Sequence, residues 1–310
     1  MKLLVTGVNG WIGAALARHC RDQGHDVRGT TRQGGGPGTV ASGDIDGHTD
    51  WQEALRDRDV VVHAAARVHV MHERATDPLR AFRQVNTEGT LRLARQSAAA
   101  GVRRLVFLSS VKVNGEQTVA GRPFRHDDCP APLDPYGRSK QEAEEGLRGI
   151  EAETGLQVVV IRPPLVYGPG VKANFAALGR WIERGRPLPF GRLTANRRSL
   201  VSLRNLVSLV STCIDHPKAA GETFLVSDHH DLSTRELVEL LAAALDRSPW
   251  LIDVPPSWLQ AIGRATGRRA AIDRLTGSLQ VDIEHTLTTL GWSPAQTVAQ
   301  ALSEWAGPST

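Results

Sequence analysis

Short apolar runs alternate with amphipathic stretches through the first half of the chain. The runs Lys2–Thr6, Asp26–Gly29, Val60–Ala64, Leu105–Ser109 and Gln157–Arg162 read as strands. Between them, helical spacing predicts helices over Gly13–Gln23, Leu79–Ala100 and Gly137–Thr154. Strands spaced in this way by helices predict an α/β fold with a parallel, doubly wound sheet. Continuous apolar runs such as VVHAA and VVVIR are what strands buried on both faces require. After Gly170 the pattern changes. The Ser233/Glu236 spacing is that of a capping box, and a further helix near Ile283–Leu290 stops at Gly291. The GGGPG run at Gly34–Gly38 reads as a loop.

Length adds to this picture. The 310 residues suit two lobes. The expected division is a dinucleotide-binding lobe over residues 1–170, with returns near 196–227, and a smaller mixed α/β cap over 171–195 and 228–310. Hydrophobic content of 41% with 23% charged residues is that of an ordinary globular protein. The three cysteines, Cys20, Cys129 and Cys213, lack metal-ligand spacing, so a reducing, cytoplasmic setting is expected. The opening MKLLVTGVNGWIG reads as a strand and turn rather than a signal peptide, and no run of 18 apolar residues suggests a membrane span. Net charge is +4, but residues 180–204 hold seven arginines against one acid, so the excess is local. Neither a nucleic-acid nor a membrane partner is expected.

Candidate chemistry begins at Thr6-Gly7-Val8-Asn9-Gly10-Trp11-Ile12-Gly13, between a strand and a helix. Glycines there permit a tight turn, and the helix N-terminus offers free amides to a pyrophosphate. The next strand ends at Thr31-Arg32, without the acid that holds a ribose 2′-hydroxyl. Arg32 can instead take a 2′-phosphate, so NADP(H) is favoured and NAD(H) is possible. The third signal is Tyr136-Gly137-Arg138-Ser139-Lys140, in which Tyr136 and Lys140 share a helix face at i, i+4. With five lysines and two tyrosines in the chain, such a pair arises by accident only about 3% of the time. A cation beside a phenol lowers its pKa, so Lys140, with an oxidised nicotinamide, is expected to bring Tyr136 towards neutrality.

The TGxxGxxG spacing, the Tyr-xxx-Lys pair and Ser110, 26 residues before Tyr136, resemble the extended short-chain dehydrogenase/reductases, the NAD-dependent epimerase/dehydratase family. The resemblance implies a Rossmann-type fold and a Ser110-Tyr136-Lys140 catalytic set, with Ser109 as the neighbouring candidate. It further implies cofactor contacts from Gly7, Asn9, Gly10, Trp11, Ile12 and Gly13 in the loop, and from Thr31, Arg32, Asp44 and Ile45 near the adenosine. Ala64, Ala65, Ala66, Asn86, Ser109, Lys140, Pro163 and Val166 would complete the cofactor site. Substrate contacts are implied at Ser110, Asn174 and Arg198, with His69 and Asp282 nearby. A homodimer through helices near Asn86–Ala100 and Ser139–Thr154 is implied by the family alone.

Dehydratases of this family carry an Asp-Glu pair where this chain has Val111-Lys112, so dehydration is disfavoured. The stretches HAAARVHVMHE, LSSVKVNGE, DPYGRSKQEAE, VKANF and LTGSLQVD resemble bacterial reductases of UDP-2-acetamido-2,6-dideoxy-hexos-4-uloses in surface-polysaccharide (O-antigen, lipopolysaccharide) synthesis. The expected reaction is therefore NADPH-dependent reduction of a 4-keto UDP-sugar. The alternatives are UDP-glucose or UDP-N-acetylglucosamine 4-epimerisation with tightly held NAD, and a non-catalytic nucleotide-sensing role. His63, His69 and His72 are not read as a metal site, since the chemistry needs no metal.

Overall fold

The structure, a computed structural model, describes residues 1–68, 77–119, 121–171, 174–267 and 269–307, with the backbone alone for Asn174 and Ala270. Its strands are β1 (Lys2–Thr6), β2 (Asp26–Thr31), β3 (Thr39–Ala41), β4 (Val60–His63), β5 (Arg104–Leu108), β6 (Gln157–Arg162), β7 (Leu165–Tyr167), β8 (Leu200–Ser202) and β9 (Thr223–Leu225). Seven of them form one parallel sheet in the order β3-β2-β1-β4-β5-β6-β9, while β7 and β8 pair separately. Strand order reverses between β1 and β4. A crevice therefore opens beyond their carboxyl ends, where such sheets bind ligands.

Alternation along the strands explains the two cores. On one face, Leu3, Val5, Val60, Val62 and Val106 pack against the Trp11–Asp22 and Leu203–Asp215 helices. On the other, Leu4, Val61, Leu105, Phe107, Val158 and Val160 meet Leu93 and Leu147 from the Gly89–Ala99 and Pro135–Thr154 helices. Both faces are covered, so the strands read as unbroken apolar runs. A third cluster, including Tyr167, Phe175, Leu200, Leu232, Leu241 and Leu302, lies in the C-terminal half.

Local chemistry sets the helix ends. Asp134 caps the Pro135–Thr154 helix by accepting from the Gly137 amide at 2.7 Å, Pro135 opens it, and Gly155 closes it at φ +76°. Ser233 and Glu236 form the expected capping box, and Gly291 ends the Glu284–Leu290 helix at φ +59°.

Two features differ from the sequence expectation. The single helix predicted over Leu79–Ala100 is interrupted: an α-helical turn Pro78–Phe82 passes into a π-helix, Arg83–Glu88, before α-helix resumes at Gly89. Hydrophobic spacing over 22 residues does not register one inserted π turn, because the apolar stripe is shifted only locally. The other is β3, where the glycine-rich loop returns the chain to the sheet edge. Removing core volume from β5, an inner strand of the sheet, is the direct test of this packing. Leu105→Ala should lower the unfolding free energy by about 2–5 kcal/mol in urea denaturation.

Candidate functional site at the strand-order reversal

The glycine loop closes on itself by backbone contact. Gly7 adopts φ +70°, and its amide and that of Val8 donate to the Thr30 carbonyl at 3.1 and 3.2 Å. A Cβ on Gly7 would lie 2.9 Å from Ala65 Cα, and one on Gly13 only 2.2 Å from the Gly7 carbonyl oxygen. β1, the loop after β4 and the Trp11–Asp22 helix therefore approach more closely than side chains would allow. The helix N-terminus has neither a side-chain cap nor an acid in its first turn. This contrasts with the capped helices that begin at Pro135, Leu203 and Thr234. Uncapped amides on a glycine cradle fit the pyrophosphate of a dinucleotide.

Around this cradle the expected residues divide into two groups. Asn9 and Gly10 are exposed at the loop, and Ala64, Ala65 and Ala66 are half-buried beyond β4. Trp11 is turned to other work, its indole donating to the Pro169 carbonyl at 2.7 Å, and Ile12 packs into the core. Thr31 closes its own loop by accepting from the Gly34 amide at 2.9 Å. Arg32 Nε lies 2.7 Å from Asp44, with both side chains at least three-quarters exposed. Ile45 packs against Gly89, where a Cβ would come within 2.4 Å of it. Pro163 accepts from the Val111 amide at 3.0 Å, and Val166 sits in β7 against the core.

A buried polar chain ties the cradle to the next layer. Thr6 Oγ1 accepts from the amides of Ala64 and Ala65 at 3.1 and 3.0 Å, which leaves its single proton for His63 Nδ1 at 2.7 Å. His63 must then donate through Nε2 to Thr90 Oγ1 at 3.0 Å, and Thr90 donates to the Asn86 carbonyl at 2.7 Å. Burial, with Lys140 nearby, pushes the His63 pKa down to about 3, in keeping with this neutral form. The Asn86 amide, presented by the π turn, accepts from Arg67 N at 2.8 Å. It donates to Arg67 O and to Ser139 Oγ, each at 3.0 Å. Ser139 in turn donates to the Tyr136 carbonyl at 2.8 Å. Asn86 thus joins the segment after β4 to the helix that carries Tyr136.

Tyr136 and Lys140 occupy one face of that helix. The Ser110 hydroxyl lies beside the Tyr136 phenol, and the ring meets Phe82 edge-on at 5.9 Å. Of the two candidate serines, Ser110 is the one beside Tyr136; Ser109 donates instead to the Glu144 carboxylate in the core. Lys140 Nζ donates to the Leu108 carbonyl at 2.7 Å and lies 4.3 Å from the Phe107 ring centre. Glu144, one turn further along, is held by Arg162 at 2.6 Å, and Arg162 also donates to Asn114 at 3.1 Å. Sequence reasoning missed this pair. Its signal was the i, i+4, i+8 series Tyr136, Lys140, Glu144 on a stripe otherwise occupied by Ala143, Leu147 and Ile150.

The electrostatics of the protein's own groups favour neutral forms. Burial pushes the Tyr136 phenol up to about 12, outweighing the Ser110 hydrogen bond that lowers it. Burial also pushes Lys140 down to about 7 despite Glu144. Desolvation disfavours both charged forms, so the protein's own groups do not bring the phenol towards neutrality.

The substrate candidates are dispersed. Arg198 is half-buried, and its guanidinium donates to the carbonyl of Arg274 at 2.9 Å and of Gly277 at 3.3 Å. Burial and the neighbouring Arg274 lower its pKa. Arg274, which the sequence did not single out, therefore places a second cation beside the first. Asp282 accepts from the Glu284 amide at 2.9 Å and borders a cavity of about 520 Å³ with Thr118, Phe124 and Arg125. Asn174 opens the Asn174–Glu183 helix, but its side chain lies outside the described residues, as does all of His69. Val111 is buried, and Lys112 pairs with Asp134, so neither position holds a carboxylate.

Residues 3–227 match the sequence pattern of the NAD dependent epimerase/dehydratase family. A UDP-glucose 4-epimerase of Vibrio cholerae is 48% identical over 309 residues, covering 98% of this chain and 94% of that one. A GDP-6-deoxy-D-mannose reductase of Pseudomonas aeruginosa is 30% identical, covering 80% of each. Among solved structures, a Bacillus cereus UDP-glucuronic acid 4-epimerase in complex with NAD superposes with a TM-score of 0.78 at 20% identity, covering 99% of this chain and 96% of that one.

Two measurements check the site's physics. Glu144→Ala leaves Arg162 buried without its partner and should cost about 3–5 kcal/mol of stability, whereas Glu144→Leu with Arg162→Met should recover much of it. The chain has two tyrosines, Tyr136 and Tyr167, and burial raises the pKa of both phenols. A free phenol ionises across roughly pH 9–11. Absorbance at the tyrosinate band should therefore stay flat over that range in the folded protein and rise on denaturation. Because folding keeps the Tyr136 proton, stability is present below pH 10 and lost as pH rises towards about 12.

Proposed function

Because the chain belongs to the NAD dependent epimerase/dehydratase family, we propose that it catalyses reversible hydride transfer at carbon 4 of a UDP-hexose, as a 4-epimerase. The observation that carries this reading is Tyr136 with Ser110 beside it and Lys140 one turn on, at the strand-order reversal beside the glycine cradle. The 48% identity to a UDP-glucose 4-epimerase favours epimerisation over the net reduction expected from sequence.

A nicotinamide dinucleotide supplies the hydride acceptor and, when oxidised, a positive charge. Gly7, Gly10 and Gly13 and the uncapped helix hold its pyrophosphate, with Asn9 alongside. Tyr136 removes the proton from the sugar 4-hydroxyl and returns it, Ser110 donates to the same oxygen, and Lys140 holds the nicotinamide ribose. The phenol's raised pKa means that added positive charge, rather than Lys140 alone, makes it a base. Arg198 and Arg274 hold the substrate diphosphate, for which guanidinium forks are suited. Without carboxylates at Val111 and Lys112, elimination of water lacks its acid and base.

Reduction of a 4-keto UDP-sugar is the second reading, carried by the end of β2. No acid stands at Thr31-Arg32. The exposed Arg32–Asp44 pair is worth little in water, so a 2′-phosphate can displace it. The NADP(H) preference belongs to this reading. The site lies in a chain whose described residues include no helix long and apolar enough to cross a membrane. A cytoplasmic enzyme, dimeric through the Gly89–Ala99 and Pro135–Thr154 helices, is consistent with it.

Purified protein given UDP-glucose and UDP-N-acetylglucosamine with NAD should yield their carbon-4 epimers by NMR, with no net cofactor consumed. Tyr136→Phe should lower kcat by about 10²–10⁴-fold at unchanged fold. Stoichiometric NADPH oxidation with a 4-keto UDP-sugar, and no epimerisation, would replace the first reading by the second. No turnover with either would favour a nucleotide-sensing role.

A further inference from the structure

Of the ten large apolar side chains left in solvent among the described residues, five, including three tryptophans, lie between residues 181 and 262. Trp181, Trp250 and Trp258 are 43%, 60% and 67% exposed, and Ile252 and Ile262 are exposed beside them in sequence. The geometry is regular. Residues 188 and 251 form a parallel bridge, with Leu188 N donating to Trp250 O at 2.8 Å and Ile252 N to Leu188 O at 2.9 Å. Alternation along this short extended segment turns Leu251 to the core and leaves Trp250 and Ile252 outside. Trp181 joins the same segment through its indole, which donates to the Pro187 carbonyl at 3.1 Å. Beyond Ile252 the chain enters the Pro256–Ala265 helix. There Leu259 and Gly263 face inward, while Trp258 and Ile262, at i and i+4, share the outer face.

The surrounding charge is predominantly positive. Residues 174–192 and 247–273 contain eight arginines against three acids. Arg180, Arg184, Arg186, Arg247, Arg264 and Arg269 are exposed, and Arg186 lies over the Trp181 ring at 5.0 Å. Tryptophan favours the headgroup region of a bilayer, with its ring among acyl chains and its N–H in the polar layer, and arginine adds attraction to anionic lipid. A second copy fits poorly, because a two-fold contact would set one arginine-rich rim against its own image. Protruding side chains, unlike a groove, suit a soft partner that needs no complementary pocket.

We propose that this face docks the protein on an anionic lipid bilayer. It revises the expectation of no membrane partner, which rested on the lack of an apolar span rather than on the surface. The inference stands independently of the reaction assigned above. Arg198 and Arg274 belong to the substrate site and are no part of the docking face.

Co-sedimentation of the full chain with phosphatidylglycerol–phosphatidylcholine vesicles tests it. Partition should be strong at low salt, weak with phosphatidylcholine alone, and accompanied by a blue shift of tryptophan emission. Trp258→Ser with Ile262→Ser should reduce partition by about tenfold or more, with unchanged thermal stability and turnover. Arg264→Gln with Arg269→Gln, which leaves the apolar face intact, should weaken binding in the same direction. Failure to partition, or partition of both double variants equal to that of the unaltered chain, overturns the proposal. So does a change of oligomeric state in the serine variant without vesicle binding, or salt-sensitive retention of DNA in place of lipid.

Discussion

The ion pair between Glu144 and Arg162, buried between the Pro135–Thr154 helix and β6, is the constraint on which the site depends. Two charges out of water are favourable only when their remaining hydrogen-bonding capacity is met, and here it is. Glu144 also accepts from Ser109, and Arg162 also donates to Asn114, whose amide donates to the Arg125 carbonyl at 2.9 Å. The helix is thereby fixed in rotation against the ends of β5 and β6. Its face then has one orientation, and Tyr136 and Lys140 follow from it at one-turn intervals. Asp134 serves the same end from outside, capping the helix with one oxygen and pairing with Lys112 through the other. The Lys112 amide donates to Ser110 Oγ at 3.2 Å, so the turn bearing Ser110 is joined to the helix bearing Tyr136.

A second consequence is electrostatic. The layer that positions Tyr136 and Lys140 also removes them from water, and desolvation drives both towards neutrality. His63 is driven the same way and stays a neutral link between Thr6 and Thr90. A neutral phenol beside a lysine near neutrality is poised rather than active. Positive charge arriving next to Tyr136 has a large effect there because the medium screens it weakly. On the proposed reading, a bound oxidised cofactor would supply that charge.

Much of this was legible in the sequence where periodicity and local motifs coincide. Lys2–Thr6 and Gln157–Arg162 are strands at the predicted bounds, because long apolar runs flanked by turn residues leave little choice. The glycine loop and the Tyr136/Lys140 face follow from spacing alone. What escaped depends on contacts distant in the chain. β7, β8 and β9 have three residues each, too few for a period to show. The π turn that presents Asn86 is set by packing against the neighbouring helix. Arg274 became visible only once the loop bearing Arg198 folded back on it, 76 residues away. The burial that raises the phenol's pKa is hidden for a related reason: sequence shows a lysine beside a tyrosine, but not how deeply either is buried.

The most direct measurement is the fate of the carbon-4 hydrogen. With UDP-glucose deuterated at carbon 4 and NAD present, hydride transfer within a closed site predicts UDP-galactose that retains the label at carbon 4, with none lost to water. Tyr136→Phe should slow label-retaining turnover without altering where the label goes. Galactose product with deuterium exchanged into solvent would contradict hydride transfer at this site, and with it the assignment of Ser110, Tyr136 and Lys140.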